Sequence, residues 1–302
     1  MPHIFSIILT TIAPIIVVAG LGVLLDRTKV LDPRSISRVA IYLAIPALAF
    51  DGIANSSITS FELGSLFLFS LLSTFTITGL AWLVTVWFKM PRLTASAFVL
   101  SVALINLSNY GIPLNEFAFG QPGLERAIIL AVLGFVYANT VGVFIASWGR
   151  ASVLRSFLNV LMVPAPYAAI LGLAANAGYI AVPELILRVA EILRGAAVPL
   201  MLIMLGIQIS RASLKGERTI VLGASGLRLL GGAAVGFLFA ALLGLDGVTR
   251  QVAIVEASMP TAVTAGILAT EFNSDAKLTS SIVLTSTLLS VLTLSIILSI
   301  LT

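Results

Sequence analysis

Two polar stretches interrupt apolar segments of this chain and carry side chains that could bind a small molecule. The first, Asn106–Pro113, reads Asn-Leu-Ser-Asn-Tyr-Gly-Ile-Pro. Proline removes a backbone donor and disfavours helix in the residue before it, so a helix is expected to break here. In lipid, the freed backbone groups are tolerated only where protein or a polar cavity satisfies them. Two interpretations stay open: a discontinuous helix that lines a transport site, or a proline kink packed against neighbouring helices.

The second stretch, Glu256–Thr261, reads Glu-Ala-Ser-Met-Pro-Thr. Half-helices beginning near Ile112–Pro113 and after Pro260 would direct their N-terminal N–H groups into one gap, where they attract an anion. Asparagine amides and threonine hydroxyls add donors for a carboxylate. We therefore predict a substrate site, with no catalytic residue and no metal, formed by Asn106, Ser108, Asn109, Gly111, Pro113, Pro260, Thr261 and Thr264.

Three ionisable residues lie in or at the ends of apolar segments: Glu256, Arg228 and Asp51. A lone carboxylate such as Glu256 is costly as an anion in a membrane, which favours a proton- or cation-coupling role. A structural ion pair with Arg228 is the alternative, and Arg228 could instead contact a substrate carboxylate. Asp51 is expected near the interface. Coupling to H⁺ or Na⁺ stays open, and no other cofactor is predicted.

The composition is that of an integral membrane protein. Of 302 residues, 59% are hydrophobic and 10% are charged, against about 25% charged in soluble domains. The mean hydropathy is +1.12. Apolar runs repeatedly reach the length of a spanning helix, about twice that of a barrel strand. Cysteine is absent, which excludes disulfides and thiolate chemistry.

Ten transmembrane helices are predicted, joined by short connections. The first has no Lys or Arg before it and is long enough to span, so it is not read as a cleavable signal. The spans are Ile4–Leu25, Val39–Ile53, Leu63–Phe88, Leu93–Phe119, Arg126–Trp148, Phe157–Ala177, Pro183–Ser210, Thr219–Leu243, Thr249–Phe272 and Ala276–Leu301.

Lys and Arg concentrate in the loops after odd-numbered spans, whereas the loops after even-numbered spans carry only Arg126 and Arg250. The positive-inside rule then places both termini outside a cell (inner) membrane. Because five spans is an odd number, a second half of the same design must be inverted, so residues 1–149 and 150–302 are predicted to form an inverted repeat. The net charge of +4 lies in short loops and does not indicate nucleic acid binding.

The sequence motifs do not indicate an enzyme. The segment Gly223-Ala224-Ser225-Gly226 matches intramembrane serine proteases, but that chemistry needs a histidine base, and the single histidine is the terminal His3. Zinc-hydrolase and phosphate-loop motifs are also absent. Neither an enzyme nor an ATP-driven pump is expected.

The pattern Asn106-x-x-Asn109-x-Gly111-x-Pro113-Leu114 resembles the fourth-helix signature of the auxin efflux carrier family. The segment Ala257-Ser258-Met259-Pro260-Thr261-Ala262-Val263 resembles its ninth helix. Weaker similarities lie at Val163–Pro166, Ala196–Leu200 and Ser286–Ser290. The connection from Trp148 to Phe157 is short, so the chain is closer to compact bacterial members than to plant PIN exporters.

The resemblance implies an all-α fold of ten helices in five-plus-five arrangement, like that of sodium–bile-acid symporters, with broken crossover helices four and nine. It implies a scaffold of spans 1, 2, 6 and 7, a moving transport domain of spans 3–5 and 8–10, and a homodimer through scaffold helices. We therefore expect an elevator-type secondary transporter of organic acid anions, either an auxin-like monocarboxylate or a small dicarboxylate. An anion channel and a membrane-embedded ligand sensor are the alternatives.

Overall fold

The computed structural model describes residues 6–29, 32–147 and 163–302. These ranges consist of helices and the segments that connect them, and Ile105 and Thr261 form an isolated β-bridge. The predicted start of span one at Ile4, the connection from Trp148 to Phe157, and His3 lie outside the described residues.

The helices are α1 (Ile8–Thr28), α2 (Pro33–Ala54), α3 (Ser60–Trp87), α4 (Arg92–Ala103), α5 (107–119), α6 (121–147), α7 (Pro164–Asn176), α8 (Glu184–Arg211), α9 (Arg218–Leu242), α10 (Gly247–Ala257), α11 (Val263–Glu271) and α12 (Ala276–Leu301). Seven helical stretches in the described part are long and apolar enough to cross a membrane, with 107–147 counted as one.

Local sequence chemistry sets several helix ends. Helix α2 begins at Pro33, six residues before the predicted Val39, because the Asp32 side chain accepts hydrogen bonds from the amides of Arg34 and Ser35. Proline at the first helical position costs no hydrogen bond. The two carboxylate bonds extend the helix beyond its apolar part.

The predicted spans four and five leave Gly120–Glu125 as the turn between them, and this turn is much shorter in the structure. Gly120 alone leaves helical geometry, at φ 65° and ψ −153°, a conformation open to glycine but not to residues with a Cβ. Helix α6 therefore starts at Gln121, with Pro122 in its first turn, where a missing N–H is tolerated. This single residue reverses the chain between α5 and α6.

Two groups of helices form the molecule. Helices α1, α2, α7 and α8 pack against one another, with close backbone approach where Gly22 and Gly206 join α1 to α8. The second group contains α3, α4, α9, α10, α11 and α12, together with the α5–α6 segment, which packs against α10 and α3. The interruptions between α4 and α5 and between α10 and α11 lie in this second group.

Candidate functional site

The two helix interruptions lie side by side and run antiparallel. Ile105 and Thr261 form the bridge between them. The Asn106 amide donates to the Pro260 carbonyl at 2.9 Å, and the Ala262 amide donates to the Leu104 carbonyl at 2.8 Å. Each interruption thus satisfies backbone groups of the other, which is what permits non-helical backbone inside a membrane protein.

Both second half-helices start close to the predicted positions. The α-helical part of α5 begins at Ile112 with Pro113 in its first turn, and a π-type turn over Leu107–Gly111 precedes it, closed by the Gly111 amide donating to the Asn106 carbonyl at 3.1 Å. Helix α11 begins at Val263, three residues after Pro260, because Ala262 stays extended with ψ 144°. The breaks themselves are 104–106 and 258–262.

Arg228 of α9 joins the ends of the two first half-helices. The Asn106 and Thr261 amides bond elsewhere, so the carbonyls four residues earlier, those of Val102 and Ala257, lose their helical donors. Arg228 is 1% exposed and donates to both, at 2.8 Å to Val102 and by a shorter bond to Ala257. Helix C-termini carry partial negative charge, so the guanidinium is also placed well electrostatically.

The contacts of Arg228 distinguish between the roles considered for it, which are an ion pair with Glu256 and contact with a substrate carboxylate. Its described hydrogen bonds go to the two carbonyls, and no ion pair with Glu256 is found among the described residues. It does not line the cavity described next. A structural role between the half-helices accounts for its contacts.

A cavity of about 480 Å³ lies between the two helix groups. That volume suits a small organic ligand. One wall comes from α2, α7 and α8, and the other from α5, α6, α11 and the first interruption. Four predicted site residues line it: Asn106, Ser108, Asn109 and Thr264.

The other four predicted site residues, Gly111, Pro113, Pro260 and Thr261, are buried in the packing beside the cavity and do not line it. The Thr261 hydroxyl donates to the Ser101 carbonyl at 2.7 Å, and the Thr261 amide donates to the Ser286 hydroxyl at 3.2 Å. Thr261 therefore fixes the interruption, whereas Thr264 is free to face a ligand.

The cavity wall is mainly apolar, with a few polar groups. Gln208 joins the predicted amides, and its side-chain oxygen is buried without a hydrogen-bond partner in the described part of the chain. Sequence reasoning missed Gln208, although an amide inside the apolar stretch Met201–Ile209 was a signal. The lining, taken over described residues, contains no Lys, Arg, Asp or Glu. Recognition would rest on amides, hydroxyls and helix ends.

The cavity continues toward the C-terminal end of α8. A second cavity of about 270 Å³ shares with it Ser37, Met204, Gln208, Val263 and Ile267, and extends to Arg211. The Arg211 side chain is 60% exposed and pairs with Asp26 at 2.7 Å. This end of the molecule carries the basic loops predicted to be cytoplasmic.

Polar contacts join the two helix groups at the opposite end. Arg194 of α8 pairs with Asp51 of α2 at 2.5 Å and donates a shorter bond to the Gln121 side chain of α6. The Asp51 side chain is 7% exposed, so it is more buried than an interfacial residue would be. Four charged residues at the start of α8, Glu184, Arg188, Glu191 and Arg194, are spaced to pair within one helix, but Arg194 pairs instead with Asp51 across the helix interface. The exposed Arg188–Glu184 pair does lie within α8.

Glu256 is enclosed between α10 and α5. It is 1% exposed, and Oε1 accepts a 3.0 Å hydrogen bond from Nδ2 of Asn115, which is fully buried. A Cβ on Gly111 would overlap the Glu256 carboxyl group, so the glycine makes room for it. Sequence reasoning missed Asn115; its signal was a third amide, two residues after Pro113 in the same apolar segment.

Comparison with known proteins identifies a family and two similar transporters. A family model described as "Membrane transport protein" matches residues 7–157 and 149–298. The chain is 28% identical over 291 residues to an uncharacterized transporter of Methanothermobacter thermautotrophicus, covering 94% of this chain and 95% of that protein. It is 26% identical over 273 residues to an uncharacterized transporter of Methanocaldococcus jannaschii, covering 87% of each.

These matches support a multi-pass membrane transporter and not an enzyme. They extend over nearly the whole chain, so they are not due to one shared motif. The resemblance read from the proline motifs is confirmed, and the chain belongs to the membrane transport protein family that includes the auxin efflux carriers.

Proposed function

We propose that this chain is a secondary transporter of organic acid anions that works by an elevator-type motion, with the 480 Å³ cavity as its substrate site. The observation that carries the proposal is the position of this cavity between two helix groups, against paired helix interruptions. Donors from Asn106, Ser108, Asn109 and Thr264 reach it without a fixed cation. Amide donors and a helix N-terminus suit a carboxylate.

The proposed topology counts α4–α5 and α10–α11 as single broken spans, which gives ten spans in two inverted halves. Helices α1, α2, α7 and α8 would form the scaffold and the dimer contact, and the remaining helices would form the transport domain. Both termini would face the outside of the cell membrane. The cavity would then open to the cytoplasm past Arg211.

A carrier is favoured over a channel by the contacts at the other end. Arg194 connects Asp51 of the proposed scaffold to Gln121 of the proposed transport domain. A continuous pore would require this end to be open at the same time as the Arg211 end. Alternating access requires instead that such contacts form in one state and break in the other.

Ligand stabilisation is the first test. The purified protein is heated with a panel of mono- and dicarboxylic acids, with and without sodium, at two pH values, and acids that raise the unfolding temperature are followed by counterflow in vesicles. Asn109→Ala and Thr264→Val should lose both effects. Thr270→Val is the matched control, because Thr270 lies on α11 outside the cavity lining and bonds to the Gly266 carbonyl.

Unaltered counterflow in folded Asn109→Ala and Thr264→Val proteins would reject the site. Flux that fails to saturate would identify a channel, and binding without flux would identify a sensor. The absence of cysteine allows a further test. Gln121→Cys with Arg194→Cys, joined by a reversible thiol cross-linker, should stop counterflow until the link is cleaved. Continued counterflow in the linked protein would reject the elevator motion.

A further inference from the structure

The Asn115–Glu256 pair, beside the cavity, contains two unpaired acceptors. Asn115 uses both amide hydrogens: Nδ2 donates to the Gly111 carbonyl at 2.9 Å and to Glu256 Oε1 at 3.0 Å. The Asn115 Oδ1 and Glu256 Oε2 atoms remain, each buried and without a hydrogen-bond partner among described residues. Buried polar atoms are almost always bonded, so two orphans on one bonded pair require a common explanation.

One proton accounts for both atoms. A carboxylate and an amide oxygen are both acceptors and cannot bond each other, whereas a protonated carboxyl group has one O–H donor. With the proton on Glu256 Oε2, this O–H can donate to Asn115 Oδ1 while Asn115 Nδ2 donates to Oε1. This is the reciprocal pairing of a carboxylic acid with a primary amide.

Among the residues that the structure describes, no cation pairs with Glu256 to hold it as an anion. Arg228, on α9, bonds the carbonyls of Val102 and Ala257. On α3 and α6, Glu62 and Arg126 pair with each other. The other titratable groups on α10 and on the elements that pack against it have other partners, line another cavity or are exposed: Glu125 accepts from the Ser57 amide and from Gln121, Tyr110 bonds Ser290, Tyr137 bonds Thr78, Glu116 lines a separate cavity with Arg194, and Arg218, Arg250 and Lys277 are exposed.

We propose that Glu256 and Asn115 form a proton-binding site, and that its proton is coupled to anion transport; the coupling rests on the function proposed above. Gly111 contacts the Glu256 carboxyl group and precedes Ile112, which lines the cavity. An anion in the cavity and an anionic Glu256 would repel each other across this short distance in a medium of low dielectric constant. The proton on Glu256 would therefore be required for the substrate anion to bind, so that proton and anion cross together, as in a proton–anion symporter.

Infrared spectroscopy of the unliganded protein tests the proton site directly. The wild type should show the C=O band of a protonated carboxylic acid at neutral pH, in an environment without water, and Glu256→Gln should remove it. Glutamine is the appropriate replacement because its N–H can donate to Asn115 Oδ1 as the acid O–H would. Glu256→Gln should therefore stay folded. Glu116→Gln is the control, because Glu116 follows Asn115 on α5 but lines a separate cavity with Arg194. This variant should leave the band unchanged.

A wild-type spectrum without this band, or a band that persists in Glu256→Gln, would overturn the proton site. Stabilisation of the wild type by sodium but not by potassium, lost in Glu256→Gln, would also overturn it in favour of a sodium site. In vesicles, a pH gradient should drive accumulation of an acid from the stabilisation panel in the wild type only. Glu256→Gln should keep saturable exchange, and gradient-driven accumulation by this variant would refute the coupling.

The two proposals fail separately. If the band behaves as expected but the wild type moves no acid of the panel, the transport function fails and the proton site stands. If transport saturates without the band, the proton site fails and the transport function stands.

Discussion

Replacing Arg228 should destabilise the protein through the two helix ends that it joins. Arg228→Met leaves the carbonyls of Val102 and Ala257 without a donor, since the amides that would bond them in a continuous helix are used elsewhere. The side chain is 1% exposed, so water does not readily replace it. Methionine replaces the aliphatic stem of arginine with an unbranched, flexible side chain but brings no donor.

The loss of folding free energy follows from the two hydrogen bonds that Arg228→Met removes. A hydrogen bond to a charged group contributes about 1.5–3 kcal/mol net, so two give about 3–6 kcal/mol. That is a large share of the roughly 5–15 kcal/mol that separates folded from unfolded domains. At about 2 °C per kcal/mol for a large domain, the unfolding temperature should fall by roughly 6–12 °C. Arg228→Lys should fall between wild type and Arg228→Met, because an ammonium group lacks the fork that reaches two carbonyls.

Thermal unfolding of the detergent-purified protein measures this effect. Arg188→Met is the matched control, because the Arg188 side chain is 73% exposed and its ion pair among described residues is with Glu184, four residues away. Such a pair contributes less than about 1 kcal/mol. Equal unfolding temperatures for Arg228→Met and Arg188→Met would refute the role assigned to Arg228.

A second variant tests the same geometry without removing the charge. A Cβ on Gly232 would overlap both the Arg228 guanidinium and the Ala257 carbonyl. Gly232→Ala should therefore cost about 1–3 kcal/mol, as overpacking does. Gly226→Ala in the same helix is the control, because nothing lies within 4 Å of its added Cβ. Equal stability of the two alanine variants would contradict the described packing.

Three further predictions concern other contacts. Thr261→Val should lower the unfolding temperature, because the buried Ser101 carbonyl loses a donor worth about 1–3 kcal/mol. Thr264→Val should impair transport at an unchanged unfolding temperature, because Thr264 lines the cavity. The reverse pattern would contradict both placements. Gly206→Ala should destabilise the α1–α8 contact, and Gly20→Ala should not, since only the first added Cβ would meet backbone; thermal unfolding compares them. Arg194→Gln should leave a buried carboxylate unpaired, shift the protein toward the state open at that end, and increase labelling of a cysteine introduced at Gln121; unchanged labelling would refute the closing contact.

Much of the architecture could be predicted from the sequence because few backbone conformations are stable in lipid. A spanning segment must satisfy its own backbone, so long apolar runs predict helices. Prolines and amides in two such runs predicted interruptions, and both runs are interrupted in the structure. Asn106, Ser108, Asn109 and Thr264, four of the eight predicted site residues, line the cavity.

The positions of the breaks could not be read from the prolines. Pro113 and Pro260 indicate roughly where each apolar run is interrupted. They do not give the broken residues, because a helix can carry proline in its first turn without loss, as at Pro113. The exact ends depend on where each freed amide finds an acceptor. For Asn106 that acceptor is the Pro260 carbonyl, which belongs to the other half of the chain.

The sequence by itself determined that the chain is a membrane protein built of helices with two polar interruptions, because composition and backbone chemistry are local properties; its proline motifs indicated a transporter by resemblance. Only the tertiary structure decided which polar groups serve the cavity and which hold the interruptions together. Asn115 meets Glu256 from 141 residues away, and Arg228 meets the Val102 carbonyl from 126 residues away. Hydrogen bonds act over about 3 Å, so a partner at such separation is set by how the helices pack and not by the residues beside it in the chain.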